Sequence, residues 1–266
     1  MFSHTRIFML GKFSESVVPL ILLPGLICDR RIFADQLAAF PDSMVADYGL
    51  CASIQAMARR VLDAAPRRFA LLGHSLGARV ALEVVRQAPE RVDRLALVST
   101  GVHLPRDHEA EARFALRDLG RASGMEALVD SWLPPMVAPA NLADPSLMQR
   151  LRAMCIDAGL ARFEAQIAAL LARPEVESLL PAIACPTLVA CGSEDRWSPP
   201  DQHRAIATAV ADADLVVVDC AGHMLPAEAP DALNAAIARW LETPIHEEPR
   251  SQGENDDGFQ STAAAR

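Results

Sequence analysis

Ser75 stands between two glycines, in Gly73-His74-Ser75-Leu76-Gly77. The apolar run Phe69-Ala70-Leu71-Leu72 precedes this pentapeptide, and an alanine-rich stretch with helical patterning follows it. A serine flanked at ±2 by glycines, between a strand and a helix, is how a chain presents a nucleophilic hydroxyl on a sharp turn. A Cβ at either flanking position would collide with the neighbouring strand or helix. The amide after the serine then points to where a negative oxygen develops when the hydroxyl attacks a carbonyl. A glycine-flanked turn without chemistry can carry the same five residues, so the partners decide.

A serine hydroxyl needs a base, and the base needs an orienting carboxylate. Of the seven histidines, His4 and His246 lie near the termini and His103 and His108 at the entry to a long helical stretch. His203 falls in a helix pattern, and His74 points away from its neighbour on the turn. His223 differs: Cys220-Ala221-Gly222-His223-Met224 directly follows the apolar run Leu215–Asp219. That is a loop at the carboxyl end of a strand, where open α/β sheets place their ligand sites. The carboxylate candidate is Asp195, in Gly192-Ser193-Glu194-Asp195-Arg196-Trp197-Ser198, after the strand Thr187–Cys191. Glu194 competes with it. The tight Gly192-x-x-Asp195 approach, which turns one short carboxylate toward the site, favours Asp195.

These loops need strands beneath them, and the chain supplies them. Val17–Leu23 ends at Pro24-Gly25; Met44–Tyr48, Phe69–Leu72, Val92–Ser99, Pro186–Cys191 and Leu215–Asp219 follow. Ile54, Met57, Ala58, Val61 and Leu62 lie on one helical face with Ser53 as a cap, and Leu233, Ile237, Trp240 and Leu241 mark a last amphipathic helix. Strands that are apolar throughout, separated by helices, predict an α/β fold: a mostly parallel central sheet covered by helices on both faces.

Residues 102–181 break the alternation. Met125, Leu128, Val129, Trp132 and Leu133 share one face, as do Leu160, Phe163, Ile167, Leu170 and Leu171, with Pro134-Pro135 and Pro139 between them. The pattern predicts a helical lid inserted in a core made of residues 17–101 and 182–243. Residues 1–16 form an N-terminal segment. Residues 244–266 are polar, acidic and unpatterned, the composition of a disordered tail.

The net charge of −9 argues against nucleic acid and against an anionic membrane surface. Part of it sits in the tail, where Glu247, Glu248, Glu254, Asp256 and Asp257 outweigh Arg250 and Arg266. The six cysteines show neither Cys-x-x-Cys nor zinc-site spacing, so no metal is expected and the compartment reads as reducing and cytoplasmic. Met1–Lys12 lacks the long apolar stretch and cleavage site of a signal peptide, and no apolar run is long enough to span a bilayer. Lys12 is the one lysine beside 24 arginines, the coding bias of a GC-rich bacterial genome.

With Ser75, Asp195 and His223 in that order at three strand ends, the chain resembles the α/β-hydrolase family. Leu22-Leu23-Pro24-Gly25-Leu26, the serine pentapeptide, Pro186-Thr187-Leu188-Val189, Gly192-x-x-Asp195 and Gly222-His223 carry the likeness, which runs from about Val17 to Leu241. The Asp-x-Trp-Ser-Pro and Gly-His-Met surroundings look like bacterial esterase-like members of the lidded subgroup. The resemblance implies an oxyanion hole of the Leu26 and Leu76 backbone amides and hydrolysis of a small or medium carboxylic ester through an acyl-enzyme on Ser75, without cofactor. It also implies a sheet that begins with two further strands, for which residues 1–16 leave little room, so a trimmed N-terminal edge is expected. Haloalkane dehalogenases and epoxide hydrolases of this fold carry an aspartate where Ser75 stands, which argues against those reactions. Carbon–carbon bond hydrolases and lyases, such as the menaquinone-pathway cyclohexadiene carboxylate synthase, resemble this chain with the same triad. A small-ligand receptor on the same fold is a third reading.

Arg79, one helical turn after Ser75, could reach an anionic substrate or pair with Glu83 at i+4. Trp132, Met136 and Trp197 are candidate pocket walls for a small-molecule substrate, or else packing within the lid. Cys28, just after the Leu26 segment, lacks a histidine placed to activate it. The sequence leaves a homo-oligomer open.

Overall fold

The computed structural model describes residues 18–245. The expectations for residues 1–16, the trimmed edge included, fall outside that span, as does all but the start of the acidic tail.

Six strands form one parallel sheet in the order β2-β1-β3-β4-β5-β6. They are β1 (Leu20–Leu23), β2 (Met44–Val45), β3 (Phe69–His74), β4 (Val92–Val98), β5 (Thr187–Gly192) and β6 (Ala213–Val218). Every residue of β1, β3, β4 and β5 is buried, which is why these strands read as mainly apolar rather than alternating; β4 departs from this at Asp93 and Arg94, both buried. β2 is shorter than its apolar run, because the pairing with β1 ends at Val45.

Helices α1 (Ala34–Ala39), α2 (Ile54–Ala64), α3 (Leu76–Gln87), α6 (Pro200–Ala209), α7 (Leu225–Glu228) and α8 (Pro230–Glu242) flank the sheet. Ser53 caps α2 as expected, its hydroxyl accepting from the Ala56 amide at 3.2 Å. The face of α2 predicted to be inward is buried at Ile54, Met57, Ala58 and Val61. α2 packs on α3, and α1 on α8.

Between β4 and β5 the described chain is helical: α4 (Glu109–Trp132) and α5 (Pro145–Leu171), joined by short 3-10 turns. Each long helix is broken at a glycine with positive φ, Gly124 at 87° and Gly159 at 76°. The second half of α4 starts at Met125 and that of α5 at Leu160, where the two apolar faces in the sequence begin. The halves bury Leu128, Val129 and Trp132, and Phe163, Ile167 and Leu170.

The strand order sets where a site can form. From β1 the chain moves outward to β2 and then crosses back to β3, so the order reverses between β1 and β3. The loops after these two strands diverge there and leave a crevice at the carboxyl edge of the sheet. Leu26 follows β1, and Ser75 follows β3.

Candidate active site

Ser75 has φ 54° and ψ −113°, a backbone conformation that side chains other than glycine seldom adopt. Its amide donates to the Val98 carbonyl of β4 at 2.8 Å, which holds the turn to the sheet. A Cβ on Gly77 would strike the Leu23 carbonyl at the end of β1, and one on Gly73 would strike the first turn of α3 at Ala78. The two glycines therefore let the turn close against a strand on one side and a helix on the other, as their spacing suggests.

The structure brings the three distant residues together. His223 Nε2 lies 2.8 Å from Ser75 Oγ, and His223 Nδ1 lies 2.9 Å from Asp195 Oδ2. An ionised carboxylate only accepts, so Nδ1 carries the proton and Nε2 is left to accept from the serine hydroxyl. The other oxygen, Asp195 Oδ1, accepts from the Trp197 and Ser198 amides at 2.9 and 2.8 Å. Burial by itself would raise the Asp195 carboxyl. The nearby His223, its N–H and the Ser198 amide outweigh burial and hold the carboxyl below its ordinary value. Glu194 stands next to Asp195 but makes none of these contacts.

The His223 loop is fixed from several sides. The His223 amide donates to the Met136 carbonyl at 2.8 Å. Glu228 accepts from the amides of Gly222, Met224 and Ala138 at 3.0, 2.9 and 2.8 Å. His74 does point away from Ser75, but it reaches the His223 carbonyl with Nε2 at 2.8 Å. Burial, and then the neighbouring His223, push the His74 pKa down to about 4, so the ring is neutral and Nε2 is the donor. His203, in α6, is also buried and accepts the Thr100 amide at 2.9 Å. Both histidines are structural partners of the loops around the site.

Leu26 and Leu76 are buried and line the same cavity as Ser75 and His223. Among the described hydrogen bonds none uses the amide of either residue. Leu76 is the first residue of α3, so its N–H is one of the unpaired donors at a helix N-terminus, where a developing negative charge is favoured. After Leu26 the chain turns through Ile27 at φ 48°. The Ile27 amide donates to Gln166 Oε1, on the second half of α5, at 2.7 Å. Cys28 is buried beside Cys155, and that neighbour's hydrogen bond together with burial raises its thiol well above the ordinary range, which makes it a poor nucleophile.

A cavity of about 380 Å³ opens above these groups. Trp132, Met136, Trp197 and Arg79 all line it. Trp132 and Met136 are buried in the helical region, whereas Trp197 is 46% exposed at the edge, with Arg113 over its ring at 5.9 Å. Arg79 does not pair with Glu83. Its Nη1 and Nη2 donate to the carbonyls of Val102 and His103 at 2.9 and 2.7 Å, while Glu83 is taken by Arg86 at 3.2 Å and Gln87 at 2.9 Å.

Sequence reasoning missed Glu109, Arg113 and Arg173, which also line the cavity. Arg173 binds both oxygens of Glu109, and Arg113 shares Oε1 at 3.0 Å. Burial alone would raise the Glu109 carboxyl, but the two guanidiniums reverse this and hold it at about 2. Glu109 and Arg113 stand at i, i+4, a spacing visible in sequence. No local signal marks Arg173, 64 residues away from Glu109, or Gln166.

Comparison with known proteins gives the same architecture. The structure superposes on a thermophilic esterase from Thermogutta terrifontis, solved with malate bound, with a TM-score of 0.77 and 26% identity, covering 84% of this chain and 89% of that one. An enol-lactonase from Burkholderia xenovorans gives a TM-score of 0.76 at 24% identity, covering 88% and 94%, a likeness of fold. A Klebsiella pneumoniae protein, provisionally named carbamate hydrolase RutD, is 31% identical over 192 residues, 69% of this chain and 70% of its own length. The model of the alpha/beta hydrolase family matches residues 20–236, and this chain is a member of that family of hydrolases.

Proposed function

We propose that the protein hydrolyses a small or medium carboxylic ester through an acyl-enzyme on Ser75. His223 Nε2 takes the hydroxyl proton as Oγ bonds to the carbonyl carbon. The resulting oxyanion accepts from the amides of Leu26 and Leu76, donors worth about 2.7–4 kcal/mol each in such transition states. As the C–O bond to the alcohol breaks, His223 returns its proton to the leaving oxygen. Water then attacks the acyl-enzyme by the same route, releasing the acid and restoring the Ser75 hydroxyl. Asp195 holds the imidazole in the required tautomer and stabilises its positive form. Neither a metal nor an organic cofactor enters the scheme. Nε2 of His223 must begin unprotonated to act as the base.

The observation that carries this reading is the continuous chain from Ser75 Oγ through His223 to Asp195, at 2.8 and 2.9 Å, beside two unspent amides. Trp132, Met136 and Trp197 supply apolar wall for the acyl or alcohol group. The test is labelling with a fluorophosphonate followed by peptide mapping. The label is expected on Ser75, and ester turnover is expected to collapse in Ser75→Ala. Label elsewhere, or equal turnover by the variant, would sink the proposal. The same three residues can serve carbon–carbon bond cleavage, so the substrate panel should span short esters, thioesters, lactones and vinylogous diketones. Turnover of the diketones alone moves the assignment to that chemistry. Tight binding without turnover moves it to a receptor.

A further inference from the structure

Five arginines and two acids line the cavity among the described residues. Three of the arginines, Arg79, Arg113 and Arg173, are buried at 5–7% exposure. They form one connected group. Arg113 and Arg173 share the carboxylate of Glu109. Arg173 Nε and Arg79 Nη2 converge on the His103 carbonyl at 3.1 and 2.7 Å. Three cations thus meet one carboxylate. Arg79 hydrogen-bonds only to the neutral carbonyls of Val102 and His103, which use two of its five N–H donors, while Glu109 and Glu177 act on it only through space. Its i+4 neighbour Glu83 is engaged by Arg86 and Gln87.

A buried cation without a counter-ion is costly, and folded proteins normally pair it. Burial, and then the adjacent Arg173, pull the Arg79 pKa down to about 9, so the guanidinium still carries its charge at neutral pH. The fork has spare donors, stands in a cavity and bonds directly to no acid, the setting that favours a bidentate carboxylate. Its position relates it to the reacting serine. Arg79 lies one turn along α3 from Ser75, roughly 5–6 Å of axial rise, and helix side chains lean back toward the N-terminus. A carboxylate held there lies within one small molecule of a carbonyl at Ser75.

We propose that Arg79, backed by Arg173, is a carboxylate subsite, so that the preferred substrate is a small ester bearing a second, ionised carboxylate. This rests on the hydrolase reading above and narrows its substrate class.

Two pairs of esters test it, the members of each pair differing in whether the second carboxyl is ionised or capped as a methyl ester, with turnover counted per ester bond at the bond both members share. Monomethyl glutarate and dimethyl glutarate place the carboxylate on the acyl side. Acetoxyacetate and its methyl ester place it on the alcohol side. Within at least one pair, wild-type kcat/KM should favour the anion by about 10- to 100-fold, the usual range for a hydrogen bond to a charged group. Most of this preference should appear in KM, and Arg79→Met should abolish the ratio. Calorimetry on Ser75→Ala supplies a readout independent of turnover, in which the anionic member of the preferred pair should bind more tightly by the same factor. Equal binding and equal kcat/KM within both pairs would overturn the subsite while leaving ester hydrolysis intact. Charge-selective binding by Ser75→Ala, with no ester cleaved by the wild type, would overturn the hydrolase reading and leave the subsite standing. A discrimination that survives in Arg79→Met would also overturn the assignment to Arg79. Should Arg79→Met fail to fold, through losing its hold on Val102 and His103, the wild-type and Ser75→Ala arms still decide whether the subsite exists, and Arg79→Lys, which keeps the charge but loses the bidentate fork, should lower the ratio; an unchanged ratio would overturn the assignment to Arg79.

Discussion

Replacing Gln166 with leucine should slow acylation although Gln166 does not line the cavity. Its Oε1 accepts the Ile27 amide at 2.7 Å, and Ile27 holds φ 48°, an unusual conformation for a β-branched residue. Such a conformation costs about 1–3 kcal/mol. A buried amide stripped of its acceptor costs about 1–3 kcal/mol as well. The two magnitudes match, so without the acceptor Ile27 keeps only the turn bond from the Cys28 amide to the Gly25 carbonyl at 3.2 Å, and the Leu26 amide is freed to shift. The ceiling on the loss is that of one oxyanion donor, about 10²- to 10³-fold in kcat. Partial misalignment places the expected fall at about 10- to 100-fold, with KM little changed. Fluorophosphonate labelling of Ser75 should slow in parallel, because the phosphoryl oxygen needs the same amides. Gln166→Glu keeps an acceptor, and the Nε2 it removes has no partner to lose; at 1% exposure its carboxyl can serve only while protonated, so most of the rate should return below the pH at which it ionises. If Gln166→Leu loses stability yet keeps kcat and labelling rate within about two-fold of wild type, the bond is a structural tie alone and the coupling to Leu26 is refuted.

Asp195→Asn should leave the fold intact and lower kcat by about 10⁴-fold, because the wrong imidazole tautomer then faces Ser75; a pH–rate profile and Tm separate this from unfolding. Gly77→Ala should destabilise by about 1–3 kcal/mol or more, since the new Cβ meets the Leu23 carbonyl rather than a movable side chain; thermal unfolding measures it. The Glu109 carboxyl is lowered from 4.5 to about 2, so its contribution to stability is complete above 4.5 and drains as pH falls toward 2. Glu109→Gln should therefore lower Tm at neutral pH, and its difference from wild type should shrink on acidification. A difference that stays constant with pH would count against the Arg113 and Arg173 pairing.

What was legible in the chain was what is local. The strand before Ser75, the helix after it and the two glycines lie within one short stretch, and each has a steric reason that can be stated without coordinates. Asp195 and His223 were legible because each follows an apolar strand within a few residues. Arg79 could be placed near Ser75 by helical periodicity, but not its partners: i+4 spacing suggested Glu83, whereas the side chain turns to Val102 and His103. Those carbonyls belong to the connection after β4, whose path no periodicity describes. Gln166 and Arg173 lie on or just after α5, and their contacts join residues 139 and 64 positions apart. A single sequence holds no signal for such a pairing.

The backbone around the site shows what the helical region adds to the sheet. Ile27, Ser75, Ser99 and Cys220 all have positive φ, and each lies just beyond a strand, β1, β3, β4 and β6 in turn. Turning the chain abruptly off a strand end is what aims an amide or side chain across the carboxyl edge of the sheet, and strain of this kind persists only where the surroundings fix it. Three of the four are held from within the sheet layer: Ser75 by Val98, Ser99 by Ala190 and Cys220 by Ser193. Ile27 is held by α5, through Gln166, and Cys220 has a second tie to the helical region, its carbonyl accepting from Asn141 Nδ2 at 3.1 Å. Displacing α5 from the sheet would therefore leave the serine turn intact and release the turn that carries the Leu26 amide. The sheet can present the Ser75 hydroxyl without the helical region, but the turn carrying the Leu26 amide, proposed to receive the oxyanion, draws part of its support from α5.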